Sequence, residues 1–360
     1  MTRRPKIALC LTGGGATGAM FQIGVLAALE DAVRDLNASE FDLYVGSSSG
    51  ASVAAALAGG KPVQRLYRAF LDPADVYFDL ERKHLLRMDL SEWRRTMLTG
   101  LSALRHGAAN LFSRGPAPMP SKLWEELDRL YDSLPAGLFS LDAYERFLEA
   151  FFLRREVPNS FSAMPKALRI LAHDLDSGDE VRFGSPGFDK VPVSRACIAS
   201  MAVPPFFSPV RIGDRHYIDA GPAQTTHVDV AIEAGSDAVV VVNPMVPARV
   251  DSVPTGHGTR DSVRDKGWMW VMHQAARIGT HKLMAESCER LRRSGHTVIL
   301  IEPEPSDGIL FMYNAASFDA RRKILEHAYR TTRARLSSWF AASDGTLERA
   351  GWESRAPLQT

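Results

Sequence analysis

Ser48 stands at the centre of Gly46-Ser47-Ser48-Ser49-Gly50, between Phe41-Asp42-Leu43-Tyr44-Val45 and the alanine-rich run from Ala51 to Leu57. The first run reads as a short strand and the second as a helix, because apolar strand formers give way to strong helix formers. A strand that feeds straight into a helix needs a tight turn, and the small residues around Ser48 permit it. This is the arrangement of a nucleophile elbow. A serine so displayed attacks a carbonyl only if a base takes its proton and donors hold the oxyanion that forms. Without such partners the segment is a Gly/Ser loop in which Ser47 or Ser49 caps the helix.

Donors are offered by Gly13-Gly14-Gly15-Ala16-Thr17-Gly18, which follows the strand-like Ile7-Ala8-Leu9-Cys10-Leu11. A helical pattern comes next, with Met20, Ile23, Leu26, Ala27 and Val33 expected on one face. Successive glycines leave backbone N–H groups uncovered at a helix start, where the dipole favours negative charge. Two anions fit such a loop. One is the oxyanion of acyl transfer; the other is a dinucleotide pyrophosphate, because Gly13, Gly15 and Gly18 satisfy G-x-G-x-x-G, as in a Rossmann oxidoreductase. The nucleotide reading also needs an acid at the end of the next strand, but that strand leads to Ser48, while Asp31 and Asp35 fall in the preceding helix. The oxyanion therefore ranks first.

The base has several candidates. Among ten histidines, His173, His216 and His227 lie near strand ends and could complete a triad. The stronger local signal is Arg215-His216-Tyr217-Ile218-Asp219-Ala220-Gly221-Pro222, an alternating strand that ends on an aspartate and turn residues. Asp219 can accept a serine proton if burial raises its pKa; otherwise it caps a turn.

Together these segments resemble the patatin-like phospholipases, a family that includes the catalytic domains of cytosolic phospholipase A2 type. The likeness runs in order through Gly13 to Gly18, Gly46 to Gly50, Ala199-Ser200-Met201-Ala202-Val203-Pro204-Pro205-Phe206-Phe207, Asp219-Ala220-Gly221 and Ala238-Val239-Val240-Val241-Val242-Asn243-Pro244. The resemblance implies a three-layer α/β fold with a mainly parallel central sheet between helices, plus a helical cap insertion. It implies Ser48 as nucleophile, Asp219 as general base and the Gly13, Gly14 and Gly15 backbone as oxyanion hole. Thr17, Gly18, Gly46, Gly50, Ala220 and Gly221 are then supporting motif positions. The implied reaction is hydrolysis of a fatty acyl ester or phospholipid through an acyl-enzyme, without metal or organic cofactor. Two positions depart from the family: Thr17 stands where Arg or Lys is usual, and Ala220 where glycine usually follows the aspartate. They keep open a lipid-binding protein of the same fold with little turnover.

The elements that must position these residues alternate as strands and helices. Residues 1–345 read as one α/β domain, with a cap or lid at about 80–160 and a tail at 346–360. Strands are expected at Ala167 to Ala172, Val181 to Phe183 and Thr297 to Ile301, long helices at Asp265 to Arg293 and Phe318 to Phe340, and a loop at Val250 to Arg260. Within 80–160, Leu86, Leu90, Trp93, Met97, Leu101 and Leu104 follow helical spacing among arginines. That stretch reads either as a cap packed on the core or as a lid that meets lipid. Across the 360 residues, 45% are apolar and the net charge is +1, which argues against nucleic acid as a main partner. Three cysteines, Cys10, Cys197 and Cys288, make neither a disulfide framework nor a zinc site. The apolar run near the N-terminus stops at Leu11, short of an export signal, and no stretch reaches the ~18 apolar residues of a membrane span. The expectation is a cytoplasmic protein, with any peripheral membrane contact made through 80–160.

Overall fold

The computed structural model describes residues 4–98, 134–221, 227–249, 262–304, 318–342 and 351–354, with residues 307 and 348. Ile7–Leu11 forms β1, Gly15–Ala32 α1, Val33–Arg34 β2, Leu43–Ser47 β3, Ser49–Ala58 α2 and Val63–Leu71 α3. Then come α4 (Arg82–Leu85), β4 (Arg87–Met88), a helical stretch at 90–98, β5 (Phe139–Ser140) and α5 (Asp142–Arg154). They are followed by β6 (Ala167–Asp174), β7 (Glu180–Phe183), α6 (Val193–Met201), β8 (Val210–Ile212), β9 (Arg215–Asp219) and α7 (His227–Glu233). The last are β10 (Ala238–Val242), α8 (Trp268–Arg293), β11 (Thr297–Ile301), α9 (Phe318–Ala342) and β12 (Glu353–Ser354).

The main sheet runs β11-β10-β1-β3-β6-β9-β8, with β7 also paired to β6. From β11 to β6 every pairing is parallel; β7, β8 and β9 pair antiparallel. Parallel strands covered on both faces read as unbroken apolar runs, as Ile7–Leu11 and Ala238–Val242 do. Alternate side chains then serve two cores. Leu9, Leu11, Tyr44 and Val240 pack with α1, α2, α5 and α6 on one face, whereas Ala8, Cys10, Val45 and Val239 pack with α7 and α8 on the other. This is the expected α/β architecture, a mixed and mostly parallel sheet between helices.

Several local expectations need correction. Helix α1 is buried almost all round rather than along one stripe, because it packs against α2, α3 and α9. At Gly24 an added Cβ would lie 2.4 Å from the Leu325 carbonyl oxygen of α9. Val33 leaves the helix to pair with Ser354 in a two-stranded ribbon. The third strand lies two residues later than the Phe41 to Val45 reading, and α8 begins at Trp268 rather than Asp265, after a 3₁₀ turn at Val263–Lys266. The helical spacing from Leu86 is broken, since Arg87 and Met88 pair with Ser140 and Phe139. Leu101, Leu104, the loop from Val250 and most of the 346–360 tail lie outside the described residues.

Candidate active site

The strand β6 brings the two halves of the site together. Along one of its edges β3 runs parallel as far as Ser47, opposite Leu171, and there the partner changes. From Ala172 onward the same edge pairs with β9, which runs the other way and ends with Asp219 opposite Ala172. Two strand ends thus meet head to head at consecutive residues of β6. One ends just before Ser48 and the other ends on Asp219.

Ser48 occupies φ 51°, ψ −130°, a positive φ that few residues with a side chain adopt. The turn is held by crowding on both sides. A Cβ at Gly46 would sit 2.8 Å from Ala51 Cα, and one at Gly50 only 2.3 Å from the Leu11 carbonyl oxygen. Neither position admits a side chain. The Ser48 amide, which has no strand left to pair with, donates to Ser200 Oγ at 2.8 Å. Ser200 Oγ in turn donates to the Leu171 carbonyl, so this buried hydroxyl closes the gap between β3 and β6. Ser200 belongs to the Ala199 to Phe207 block, yet the sequence reading gave it no role. A serine on an otherwise apolar buried helix face was the available signal.

The glycine loop lies against the nucleophile: a Cβ at Gly13 would be 3.0 Å from Ser48 Cβ and 3.5 Å from its Oγ. Gly14 (φ 131°) caps α1 with no side-chain bond and Gly15 has φ 65°. Among the described residues no acceptor takes the N–H groups of Gly13, Gly14 or Gly15. Thr17, buried at this helix start, donates to the Gly14 carbonyl at 3.2 Å, so the position where the family usually carries a cation here ties the loop to itself. From behind, Pro244 abuts the loop, 3.1 Å from a Cβ at Gly14 or at Gly18. Thr12 Oγ1 donates to Asn243 Oδ1 at 2.7 Å, and Asn243 Nδ2 to Glu302 Oε1 at 2.6 Å, which fixes the end of β10 to the ends of β1 and β11.

Asp219 is held by its own turn. Its amide donates to the Ala202 carbonyl at 3.0 Å, and Oδ1 accepts from the Gly221 amide at 2.9 Å. The other oxygen, Oδ2, is buried with no hydrogen-bond partner among the described residues. Burial raises the carboxyl pKa, against smaller lowering by the Gly221 amide, the nearby Ser48 hydroxyl and His173. The serine is close enough to be felt without a formed bond. Ala220, the second departure, is buried in the core that contains Val45 and Val241.

No histidine bonds Ser48 among the described residues. His173 Nδ1 lies 3.3 Å from the Asp219 backbone oxygen, and His216 Nδ1 lies 3.8 Å from Asp176. His227 Nε2 meets the hydroxyl of Ser47 at 2.8 Å, and burial lowers its pKa to about 4. It is a neutral, buried side chain of the opposite layer.

Beside the elbow, a narrow, mostly apolar slot of about 60 Å³ lies between α1 and α2, lined by Ala16, Ile23, Ser49, Val53, Ala56 and Phe70 among others. A more open groove lined by Asp79, Lys83, Arg146 and Arg154 contains none of the site residues. The slot is the cavity that adjoins Ser48 along the chain.

The family model of patatin-like phospholipases matches residues 9–232, and the chain belongs to the patatin-like phospholipase family. Members of this family are typically serine lipid hydrolases. Comparison with curated proteins finds no match. Among solved structures the chain is similar to VipD from Legionella pneumophila, at 15% identity and a TM-score of 0.39, over 94% of this chain and 67% of that one. It is also similar to full-length ExoU from Pseudomonas aeruginosa, solved with SpcU, at 16% identity and 0.35, over 94% of this chain and 53% of ExoU. Human GIVD cytosolic phospholipase A2, in complex with methyl gamma-linolenyl fluorophosphonate, gives 11% identity and 0.35, over 98% and 61%. The chain thus spans about half to two thirds of each. No helix among the described residues is long and apolar enough to cross a membrane.

Proposed function

We propose that this protein is a cytoplasmic lipid acyl hydrolase of the phospholipase A, lysophospholipase or carboxylesterase type, acting through a Ser48–Asp219 dyad. The observation that carries the reading is the buried, partnerless Oδ2 of Asp219 beside Ser48. A carboxylate buried away from water with one oxygen lacking a donor is a stronger base than a solvated one. Ser48 Oγ attacks the acyl carbonyl and its proton passes to Asp219. The negative charge gathered on the carbonyl oxygen is met by the free amides of Gly13, Gly14 and Gly15 at the start of α1. Collapse of this intermediate expels the alcohol, which takes the proton from Asp219 and leaves the acyl group esterified to Ser48. Water, deprotonated by Asp219, then releases the acid.

The slot between α1 and α2 begins at Ala16 and Ser49, next to the loop and the nucleophile, and its walls are mostly apolar, with Ser52 and Arg321 also lining it. At about 60 Å³ it is too small as it stands for a long acyl chain, so it supports only an apolar approach to Ser48. The loop's contact with Ser48 favours an oxyanion formed on a carbonyl attacked by that serine over a dinucleotide pyrophosphate. The free, buried cysteines Cys10, Cys197 and Cys288 fit a reducing compartment. The test is ester hydrolysis by the wild type, Ser48→Ala and Asp219→Asn, with covalent labelling of Ser48 by a long-chain fluorophosphonate read by intact mass. Activity or labelling that survives Ser48→Ala defeats the mechanism. Loss with Ser48→Ala but not Asp219→Asn points to another base, and a wild type that binds lipid without turnover leaves only the binding reading.

A further inference from the structure

The helix α8 changes character along its outer face. Trp268, Val271, Met272, Ala275 and Ile278 fall at i, i+3, i+4, i+7 and i+10, within roughly 120° of arc. All five are exposed, with Trp268 and Ile278 each 54% accessible. Continuing down the same arc, the residues become Lys282, Glu286, Glu289 and Arg293, joined as Lys282–Glu286 and Glu289–Arg293 ion pairs. The opposite face is uniform: Arg277, Met284, Cys288 and Leu291 are all buried. One face of a single helix is thus dressed for water in its second half and for an apolar medium in its first. No carboxylate occurs within the helix from Trp268 to Ala285, and Asp265 lies in the turn just before it.

The apolar half lies at the edge of the sheet where the site opens. Gln274 exchanges hydrogen bonds with the Ala248 backbone at 3.1 and 2.8 Å, and Arg277 donates to the carbonyls of Pro244 and Val246. That segment follows β10, and its Pro244 abuts the glycine loop. At the far end of α8, Arg292 bonds the Val298 carbonyl near the start of β11. The helix therefore runs from the carboxyl edge of the parallel strands, where Ser48 lies, back to their amino edge. Its first turns stand beyond Gln274 by roughly 9 Å at 1.5 Å per residue.

We propose that this stripe is an interfacial docking face that seats the protein on a phospholipid bilayer, with Ile278 and Lys282 marking the water boundary. The choice of lipid as the occupant rests on the acyl-hydrolase reading above. An aromatic side chain at the outer end, aliphatic neighbours along one face and ion pairs below the boundary suit shallow insertion of a helix into the headgroup region. Docking there brings the glycine loop and elbow towards the surface that holds the substrate.

The test is sedimentation of the full chain with phosphatidylcholine vesicles, with and without phosphatidylglycerol, for the wild type and Trp268→Ser/Met272→Ser/Ile278→Ser. The wild type is expected to partition onto vesicles, and the variant to lose at least about tenfold in partition. Hydrolysis of a water-soluble short-chain ester and the melting temperature should stay unchanged. Equal partition of the two proteins overturns the proposal, as does a wild type that ignores vesicles. A dimer in solution that the variant dissolves would assign the face to a second copy instead. If the wild type hydrolyses no ester, the catalytic reading fails while the partition still decides docking.

Discussion

The two sides of Ser48 are built on opposite plans. On the glycine side, backbone is packed against backbone so closely that Gly46 and Gly50 have no space for a Cβ, and one at Gly13 would press on Ser48 at 3.0 Å. On the Asp219 side the turn is looser: among the described residues a Cβ at Gly221 would meet only the Asp219 carbonyl oxygen, at 3.9 Å. There one carboxylate oxygen is satisfied and the other is not. The first side stores its function in shape and the second in an unmet electrostatic demand. Changes on the glycine side should therefore cost stability and activity together, whereas changes at Asp219 should separate them.

The largest effect is expected from Ser48→Ala, which should lower ester hydrolysis by at least about 10⁴-fold while relieving the strain of a positive φ very little. Steady-state rates and thermal melts read both. Asp219→Asn is next: proton acceptance is lost, with a fall of about 10²–10⁴-fold in kcat, but the melting temperature should hold or rise. A neutral amide no longer carries the cost of a buried charge, so a large drop in melting temperature would break the contrast. Gly13→Ala should reduce kcat by about 100-fold, by pressing on Ser48 and displacing an oxyanion donor. Unlike Asp219→Asn, it should also lower the melting temperature. Ser200→Ala leaves the Ser48 amide buried and unpaired, at about 1–3 kcal/mol in denaturant unfolding.

The last prediction concerns pH dependence, where the signs oppose. His227 has a folded pKa depressed from 6.5 to about 4. Below 6.5 the unfolded chain binds a proton that the folded one refuses. The stability it contributes is complete above 6.5 and falls by about 1.4 kcal/mol per pH unit on the way down to about 4. Asp219 has a raised pKa, so its term is present below the ordinary carboxylate range and is lost as pH rises through the folded value. Urea titrations between pH 7 and 5 should show net destabilisation on acidification, with a slope that His227→Gln flattens. An unchanged slope would mean that other groups set it.

Much of the sheet was legible because its strands are short, apolar and punctuated by turns: Ile7–Leu11, Arg215–Asp219 and Thr297–Ile301 have the bounds the sequence suggests. Ser48 and Asp219 were legible as two strand ends, and as a pair only through the family resemblance. Their meeting depends on β6, whose edge passes from one partner to the other between Leu171 and Ala172, and local patterning carries no trace of that handover. The break after Leu86 was hidden for the same reason, since the pairing of Met88 with Phe139 lies far along the chain. Burial of α1 on all sides depends on a helix from the other end of the sequence, so a one-sided pattern was a natural but wrong expectation.

The contact between α1 and α9 also bears on how the protein is made. The start of α1 carries the oxyanion loop, yet Gly24 in its middle lies against Leu325, in a helix that begins about 290 residues after α1 ends. At ~5–20 residues per second, a ribosome would hold the nucleophile, the loop and the base complete in sequence for seconds before α9 emerges to clamp them. A nascent chain would display an apolar helix with one flank bare, in need of chaperone shelter, and its chemistry would stay silent until α9 has been made.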